Sequence, residues 1–235
     1  MTPQEKKDRL AKLTALVASR GNPLRAASAQ RDKGSTKLFL AVRVPELRSI
    51  ALKDFAMKDL TAVDRLEFWD YVWRHSQYYE VTLVPLIYYY AKRTRIEPET
   101  FDVVCRWIDR VDDWGHCDGL SGIYSFLNQN NKQKVMPFLR RLNQSDNRWR
   151  VRASVVSLIH YSGKNAAYLS PNEIFPFLDP HLANSDKYIA NAAGWVLREM
   201  RRDYPNEIDA YVSKNAGRLS RIALSKARLM HLARS

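Results

Sequence analysis

The most constraining feature of this sequence is a weak internal repeat whose units read as helices. Ser145-Asp146-Asn147-Arg148-Trp149-Arg150-Val151-Arg152-Ala153 aligns with Ser185-Asp186-Lys187-Tyr188-Ile189-Ala190-Asn191-Ala192-Ala193 at an offset of 40. Each opens an amphipathic stretch behind a Ser-Asp pair of the kind that caps helices. Asp113-Trp114 stands 33 residues before Asp146, and Ser76-Gln77-Tyr78-Tyr79-Glu80 opens a further apolar stretch, Val81 to Ala91. Between these openings lie companion stretches of helical pattern: Val63 to Arg74, Glu99 to Ile108, Lys134 to Leu142 and Pro171 to Leu182. An alternation of helix, turn and helix at periods of 33 to 40 predicts stacked helix pairs that bury little alone.

Composition agrees. Only 8 Gly and 10 Pro occur in 235 residues, and 46% of the chain is hydrophobic, which favours helices over turn-rich β structure and suffices for a sizeable core. We expect an all-α fold, a right-handed α-solenoid of HEAT-like helix pairs with a concave basic face, in a single domain over 1–235; a compact bundle is the alternative. Lys plus Arg total 38 against 25 acids, a formal charge of +13 and a sequence pI near 9.8. Solubility needs only a small net charge, so the excess predicts a polyanionic partner, nucleic acid before membrane. No apolar run approaches the length of a spanning helix and MTPQEKKDRL lacks a signal-peptide core, so a cytoplasmic location is expected. Cys105 and Cys117 have no CxxC spacing and read as small core residues. The consecutive His116, Cys117 and Asp118 splay around a helix, which suits neither a metal site nor a Cys/His pair. Neither metal nor cofactor is expected.

Helical wheels separate packing residues from the rest. In the last repeat helix Ile189, Ala192, Ala193, Val196, Leu197 and Met200 form an apolar stripe, while Lys187, Asn191, Trp195, Arg198 and Arg202 gather opposite. Around Ser121 the stripe is Leu120, Ile123, Tyr124 and Leu127; Trp114, Asp118, Ser121, Gly122 and Ser125 fall on another side, with small residues that leave room for a bulky partner. Trp114 and Asp118 are four apart and stack on one face if the helix reaches back to Trp114. A carboxylate facing a polyanion either does chemistry or serves as a loop cap. In the middle helix Arg148, Trp149, Arg150 and Arg152 accompany the stripe Val151, Val155, Leu158 and Ile159. Arg152, at the stripe's edge, can pair with an acid of a neighbouring repeat or clamp a phosphate with the same fork.

Trp114-xxx-Asp118, then Trp149-x-x-Arg152-Ala153, then Ala193-Gly194-Trp195-Val196-Leu197-Arg198-Glu199 stand in order on successive repeats. This order resembles the AlkD family of HEAT-like-repeat DNA glycosylases. Phe39-Leu40-Ala41-Val42-Arg43-Val44-Pro45-Glu46-Leu47-Arg48 resembles that family's N-terminal motif, so the similarity runs from about 39 to 211. The resemblance implies a nucleoid-associated base-excision repair hydrolase that removes purines alkylated at N3 or N7 from double-stranded DNA and acts as a monomer. It implies catalytic roles for Asp118, Trp114, Trp195 and Arg152, and DNA-backbone contacts for Arg148, Arg150, Lys187, Arg198, Arg202 and Arg43. Two departures stand out: Gly115 occupies a position where several relatives carry a second acid, and no aromatic lies near Asp32 where some members place one beside the lesion.

An alkylated purine is already cationic and leaves without protonation, so Asp118 would stabilise the positive charge that develops on the sugar and could orient water. The tryptophan faces would hold the sugar-phosphate backbone and favour that cation, and Arg152 would grip a phosphate. The resemblance further implies that the lesion stays stacked and enters no base-binding pocket, unlike the usual glycosylase. Alternatives of other classes are a non-catalytic HEAT-repeat DNA-binding protein and a protein-protein scaffold. Lys214 to Ser235 hold six Lys/Arg and no acid, and read as a final helix touching DNA or as a solvated cap.

Overall fold

The structure, a computed structural model, describes residues 1–55, 57, 59–93, 96–160 and 166–232. Among these the fold is all-α: the sole β pairing is two isolated bridges, Leu38 with Tyr78 and Ile159 with Ala167. No described helix is long and apolar enough to cross a membrane. The chain divides into two compact units, Met1–Leu120 and Ser121–Ser235.

The first unit holds α1 (Pro3–Ala18), α2 (Pro23–Lys33), α3 (Val44–Ser49), α4 (Ala62–His75), α5 (Tyr79–Ala91), α6 (Thr100–Val104) and the start of α7 (Trp114–Asn130). Local chemistry sets the starts. Thr2 and Glu5 form a capping box ahead of Pro3, and the Thr61 side chain accepts from the Asp64 N–H at the head of α4, each satisfying a donor that the first turn leaves unpaired. The expected helix over Glu99–Ile108 is broken: α6 ends at Val104 and a 3-10 turn, Trp107–Arg110, follows. The break lets Trp107 stack on Trp73 at 5.2 Å. Its indole N–H reaches Asp70 Oδ1 at 2.9 Å, while the Trp73 N–H donates to the Trp107 carbonyl at 3.1 Å. Such a pair contributes about 1 kcal/mol beyond its buried area, and both polar handles are satisfied.

The second unit holds α8 (Lys132–Asn143), α9 (Arg148–Val156), α10 (Pro171–Leu178), α11 (Lys187–Met200), α12 (Pro205–Lys214) and α13 (Arg221–Ala227). The α11 stripe is the predicted one: Ile189, Ala192, Ala193, Val196, Leu197 and Met200 are all buried. Two corrections concern local chemistry. The Ser-Asp pairs are not the repeating cap, because α9 is capped by Asn147, whose side chain accepts from Trp149 and Arg150 N–H, whereas α11 is capped by Asp186. And α9 stops at Val156, so Leu158 and Ile159 are buried beyond its end, where Ile159 bridges to Ala167. Cys117 is a core residue as expected, but Cys105 is half-buried, its thiol against the Asp102 carbonyl.

Candidate nucleic-acid interface and catalytic residues

The six tryptophans sort into two sets. Trp69, Trp73 and Trp107 are fully buried in the first unit, whereas Trp114, Trp149 and Trp195 are half-buried. The second set is the one the repeat motifs contain.

At the head of α7, Asp113 is the cap. Its Oδ1 accepts from the N–H groups of Gly115 at 2.6 Å and His116 at 3.0 Å, and from the Tyr79 hydroxyl at 3.3 Å. Its Oδ2 pairs with His116 Nδ1, and His116 Nε2 meets the Thr82 hydroxyl at 2.8 Å. Burial alone would raise the Asp113 pKa, but the His116 contacts outweigh it and hold the carboxyl low. Asp112 is likewise driven up by burial and pulled well below the usual range by Lys37 and Thr36. Lys37 lies 2.6 Å from its Oδ1, and the Thr36 N–H is 2.8 Å from its Oδ2. The donor atoms of Asp112, Asp113 and His116 lie within 4.8 Å of one another. Those atoms already serve as helix cap, ion pair and histidine clamp, so the trio reads as a structural knot and not as a metal centre.

Trp114 opens α7 directly after this cap. The Lys33 ammonium, at the end of α2, sits 3.4 Å from its ring centroid, a cation-π contact. Burial lowers the Lys33 pKa, partly offset by the charges of Asp32, Asp113 and Asp118, so Asp118 acts on the same ammonium that covers Trp114. Asp118 is only 4% exposed. That degree of burial makes it unlike a surface carboxylate.

The small residues of α7 do not leave the vacancy expected of them. Ser121, Gly122 and Ser125 are buried. A Cβ on Gly119 would come within 3.1 Å of Leu86, and one on Gly115 within 2.3 Å of the Tyr79 hydroxyl. The missing acid at 115 therefore has a physical reason: Tyr79 occupies its place.

The Phe39–Arg48 motif builds the wall behind Tyr79. Phe39 stacks on Tyr79 at 4.3 Å, and the Glu80 carboxylate accepts from Leu40 N–H at 2.8 Å and Ala41 N–H at 2.7 Å. These bonds hold Ala41 at φ +55, a left-handed conformation that persists in a non-glycine residue only under such constraint. Within the motif, the Arg43 side chain is 75% exposed and pairs with Glu46 at 3.1 Å.

In the second unit, α9 and α11 meet through the residues the motifs select. Arg152 is 7% exposed and its Nη1 donates to the Tyr188 carbonyl at 2.7 Å. Trp149 packs on the Tyr188 ring at 4.7 Å. Arg148 makes an inter-repeat arginine-aspartate pair, its Nε 3.3 Å from Asp186. Arg198 and Arg202 both reach Glu199, at 2.8 and 2.7 Å. Lys187 is exposed with its ammonium 4.9 Å from the Tyr188 ring, and Arg150 is half-buried. On α11 the half-buried Asn191, Trp195 and Arg198 lie four and three residues apart and so share one face. Sequence reasoning missed Lys33, which has no motif, and reached the cations of α13 only as part of the basic stretch Lys214 to Ser235.

These features define an all-helical protein with a buried carboxylate and half-exposed tryptophans among cations. The sequence profile of the DNA alkylation repair enzyme family matches residues 13–229, and the chain belongs to that family. Solved structures share its fold. A "predicted DNA alkylation repair enzyme" from Enterococcus faecalis aligns over 90% of this chain and 96% of its own, with TM-score 0.73 and 13% identity. AlkD2 from Streptococcus mutans aligns over 86% and 94%, with TM-score 0.57 and 16% identity. The smu.31 protein from Streptococcus mutans UA159 aligns over 79% and 90%, at the same TM-score and identity. No curated protein matches the sequence.

Proposed function

We propose that the chain is a DNA glycosylase that hydrolyses the N-glycosidic bond of purines made cationic by alkylation at N3 or N7 in duplex DNA. The observation that carries this reading is Asp118, a carboxylate buried to 4% exposure on a chain of formal charge +13. In such a shielded position a negative charge acts far more strongly than in water on a cation forming near it. As the bond between C1′ and the base nitrogen breaks, its electron pair neutralises the cationic base. Positive charge appears on the sugar, and Asp118 stabilises it while water adds to C1′ and gives up a proton. No general acid is needed for this leaving group. Trp114 and Trp195 supply π faces to the sugar-phosphate backbone and the developing cation. Arg152 supplies a guanidinium fork for a phosphate. Arg43, Arg148, Arg150, Lys187, Arg198 and Arg202 add backbone contacts, the local ion pairs of Arg43, Arg148, Arg198 and Arg202 exchanging for phosphate on binding. Specificity then comes from the lability of the lesion, and neutral lesions are poor substrates. The protein acts as a cytoplasmic monomer on the nucleoid.

Release of free base from N-methylated duplex DNA tests the reading. The wild type releases 7-methylguanine or 3-methyladenine, and Asp118→Asn lowers the single-turnover rate roughly 100-fold or more with DNA affinity retained. A near-normal rate in Asp118→Asn removes the carboxylate from the chemistry. A wild type that binds duplex DNA but releases no base is a binding protein.

A further inference from the structure

We propose that the cleft between α11 and α13 is a phosphate-binding site that grips a phosphodiester of the DNA backbone. This rests on the reading that the chain acts on duplex DNA, and not on the excision chemistry.

The open cleft has a volume of about 510 Å³ and is lined by Asn191 and Arg198 from α11 and by Arg221, Ile222, Ser225, Lys226 and Arg228 from α13 and its end. Four of these seven side chains are cationic and none is acidic. Gly194 makes the cleft possible: a Cβ there would meet the Ala223 carbonyl oxygen at 2.3 Å and the Lys226 Cβ at 2.8 Å, so only glycine lets the two helices approach this closely.

Arg198 is held by Glu199. Among the described residues Arg221, Lys226 and Arg228 have no ion pair. Three uncompensated cations converging on one cleft repel one another, and an anion seated among them reverses that cost. A second, independent feature is the backbone of Arg228. It ends α13 in the left-handed conformation, φ +62, at a position where helices ordinarily place glycine. The chain sets an arginine there and directs it into the cleft.

The occupant follows from what borders the cleft. Asn191 and Arg198 share their face of α11 with Trp195, and neighbouring cation and indole are what a sugar-phosphate strand uses. Arginine forks take two phosphate oxygens at once.

The test is the salt dependence of binding to a short undamaged duplex, for the wild type and for Arg221→Ala/Lys226→Ala/Arg228→Gly. The glycine suits the left-handed backbone and alanine retains the Cβ atoms, so thermal unfolding stays cooperative. The proposal expects a three- to tenfold weaker affinity and a log-log salt slope shallower by about 0.9 for each phosphate that the variant no longer neutralises. Unchanged affinity and slope in the folded variant overturn it, as does a wild type that does not bind duplex DNA. If inorganic phosphate stabilises the wild type but not the variant while the DNA slope stays the same, the site takes free anions and the DNA assignment falls. A shallower slope in a protein that releases no base leaves the phosphate site standing and removes only the glycosylase reading.

Discussion

The ammonium of Lys33 lies 3.4 Å from the centre of the Trp114 ring. Thus a cation of the chain itself already uses the ring that the family resemblance assigns to the substrate's sugar. Cation-π contacts contribute about 0.5–2 kcal/mol, rising with desolvation, and Lys33 is half-buried. Lys33→Met is therefore expected to cost about 1 kcal/mol. In a double-mutant cycle with Trp114→Leu, read by urea unfolding, the two changes should couple by a similar amount. Strict additivity would mean that the contact contributes nothing.

Gly115→Ala is expected to destabilise by about 1–3 kcal/mol, the usual cost of overpacking, because the new Cβ meets the Tyr79 hydroxyl at 2.3 Å. Tyr79→Phe removes that oxygen and leaves the ring carbon at 3.6 Å, an ordinary contact. The double variant should thus be more stable than Gly115→Ala alone, although Tyr79→Phe by itself forfeits the hydrogen bond to Asp113. Thermal unfolding of the four proteins decides it; no rescue would assign the clash elsewhere.

What the sequence made legible was local. The α11 stripe follows from spacing alone, and the same wheel set Trp114 and Trp195 apart from the apolar stripes; both are half-buried. What it hid depends on partners far along the chain. Gly115 read as a missing acid because Tyr79, 36 residues earlier, is brought against it only by folding. Ser121 and Ser125 read as open ground because a wheel assigns a face without saying whether another element covers it, and both are buried. The break after Val104 was hidden because Trp107 fits a helical pattern equally well; its stacking on Trp73 decides where it goes. Lys33 carries no motif, so only the fold places it over Trp114.

Asp112 and Asp113 give the fold a defined acid sensitivity. Both folded pKa values lie below the usual range despite burial, which acts the other way. The unfolded chain binds their protons near pH 4, so the stability these groups contribute is complete above that pH and is lost as pH falls through it toward their lower folded values. Asp112→Asn removes one titrating group but keeps a single acceptor oxygen, so its amide nitrogen faces either Lys37 or Thr36 and the variant is also less stable at neutral pH. Urea unfolding across the acid range should show a shallower decline in the variant, by up to about 1.4 kcal/mol per pH unit. Parallel declines would mean that Asp112 does not titrate abnormally.

Arg152 has a structural duty that is separable from any phosphate it binds. Its Nη1 donates to the Tyr188 carbonyl at 2.7 Å, in the first turn of the helix that carries Trp195. Arg152→Ala is expected to lose about 1–3 kcal/mol of stability, since the Tyr188 carbonyl, already bonded within α11, loses a second, charged donor. Under the proposed function it also weakens duplex binding with a shallower salt slope. Arg152→Lys keeps the charge but not the fork, so it should recover the slope better than the excision rate. If Arg152→Ala loses stability while its salt slope matches that of the wild type, the arginine is only a brace.

Gly194→Ala separates the packing of α13 from its charge. The added methyl would lie 2.3 Å from the Ala223 carbonyl oxygen, a backbone atom that cannot rotate away, so α13 must move off α11. The Ser220 N–H donates to the Leu182 carbonyl at 2.8 Å just before α13, and a displaced helix strains this anchor. Limited proteolysis should therefore cut near Ser220 faster in Gly194→Ala than in the wild type, by about the factor of 10 that each 1.4 kcal/mol of local opening corresponds to. The variant retains every cation, so a salt slope reduced to that of the triple charge variant would show that the helix spacing, and not net charge alone, makes the cleft grip DNA. A wild-type slope alongside faster cleavage would mean that the α13 cations act without the cleft.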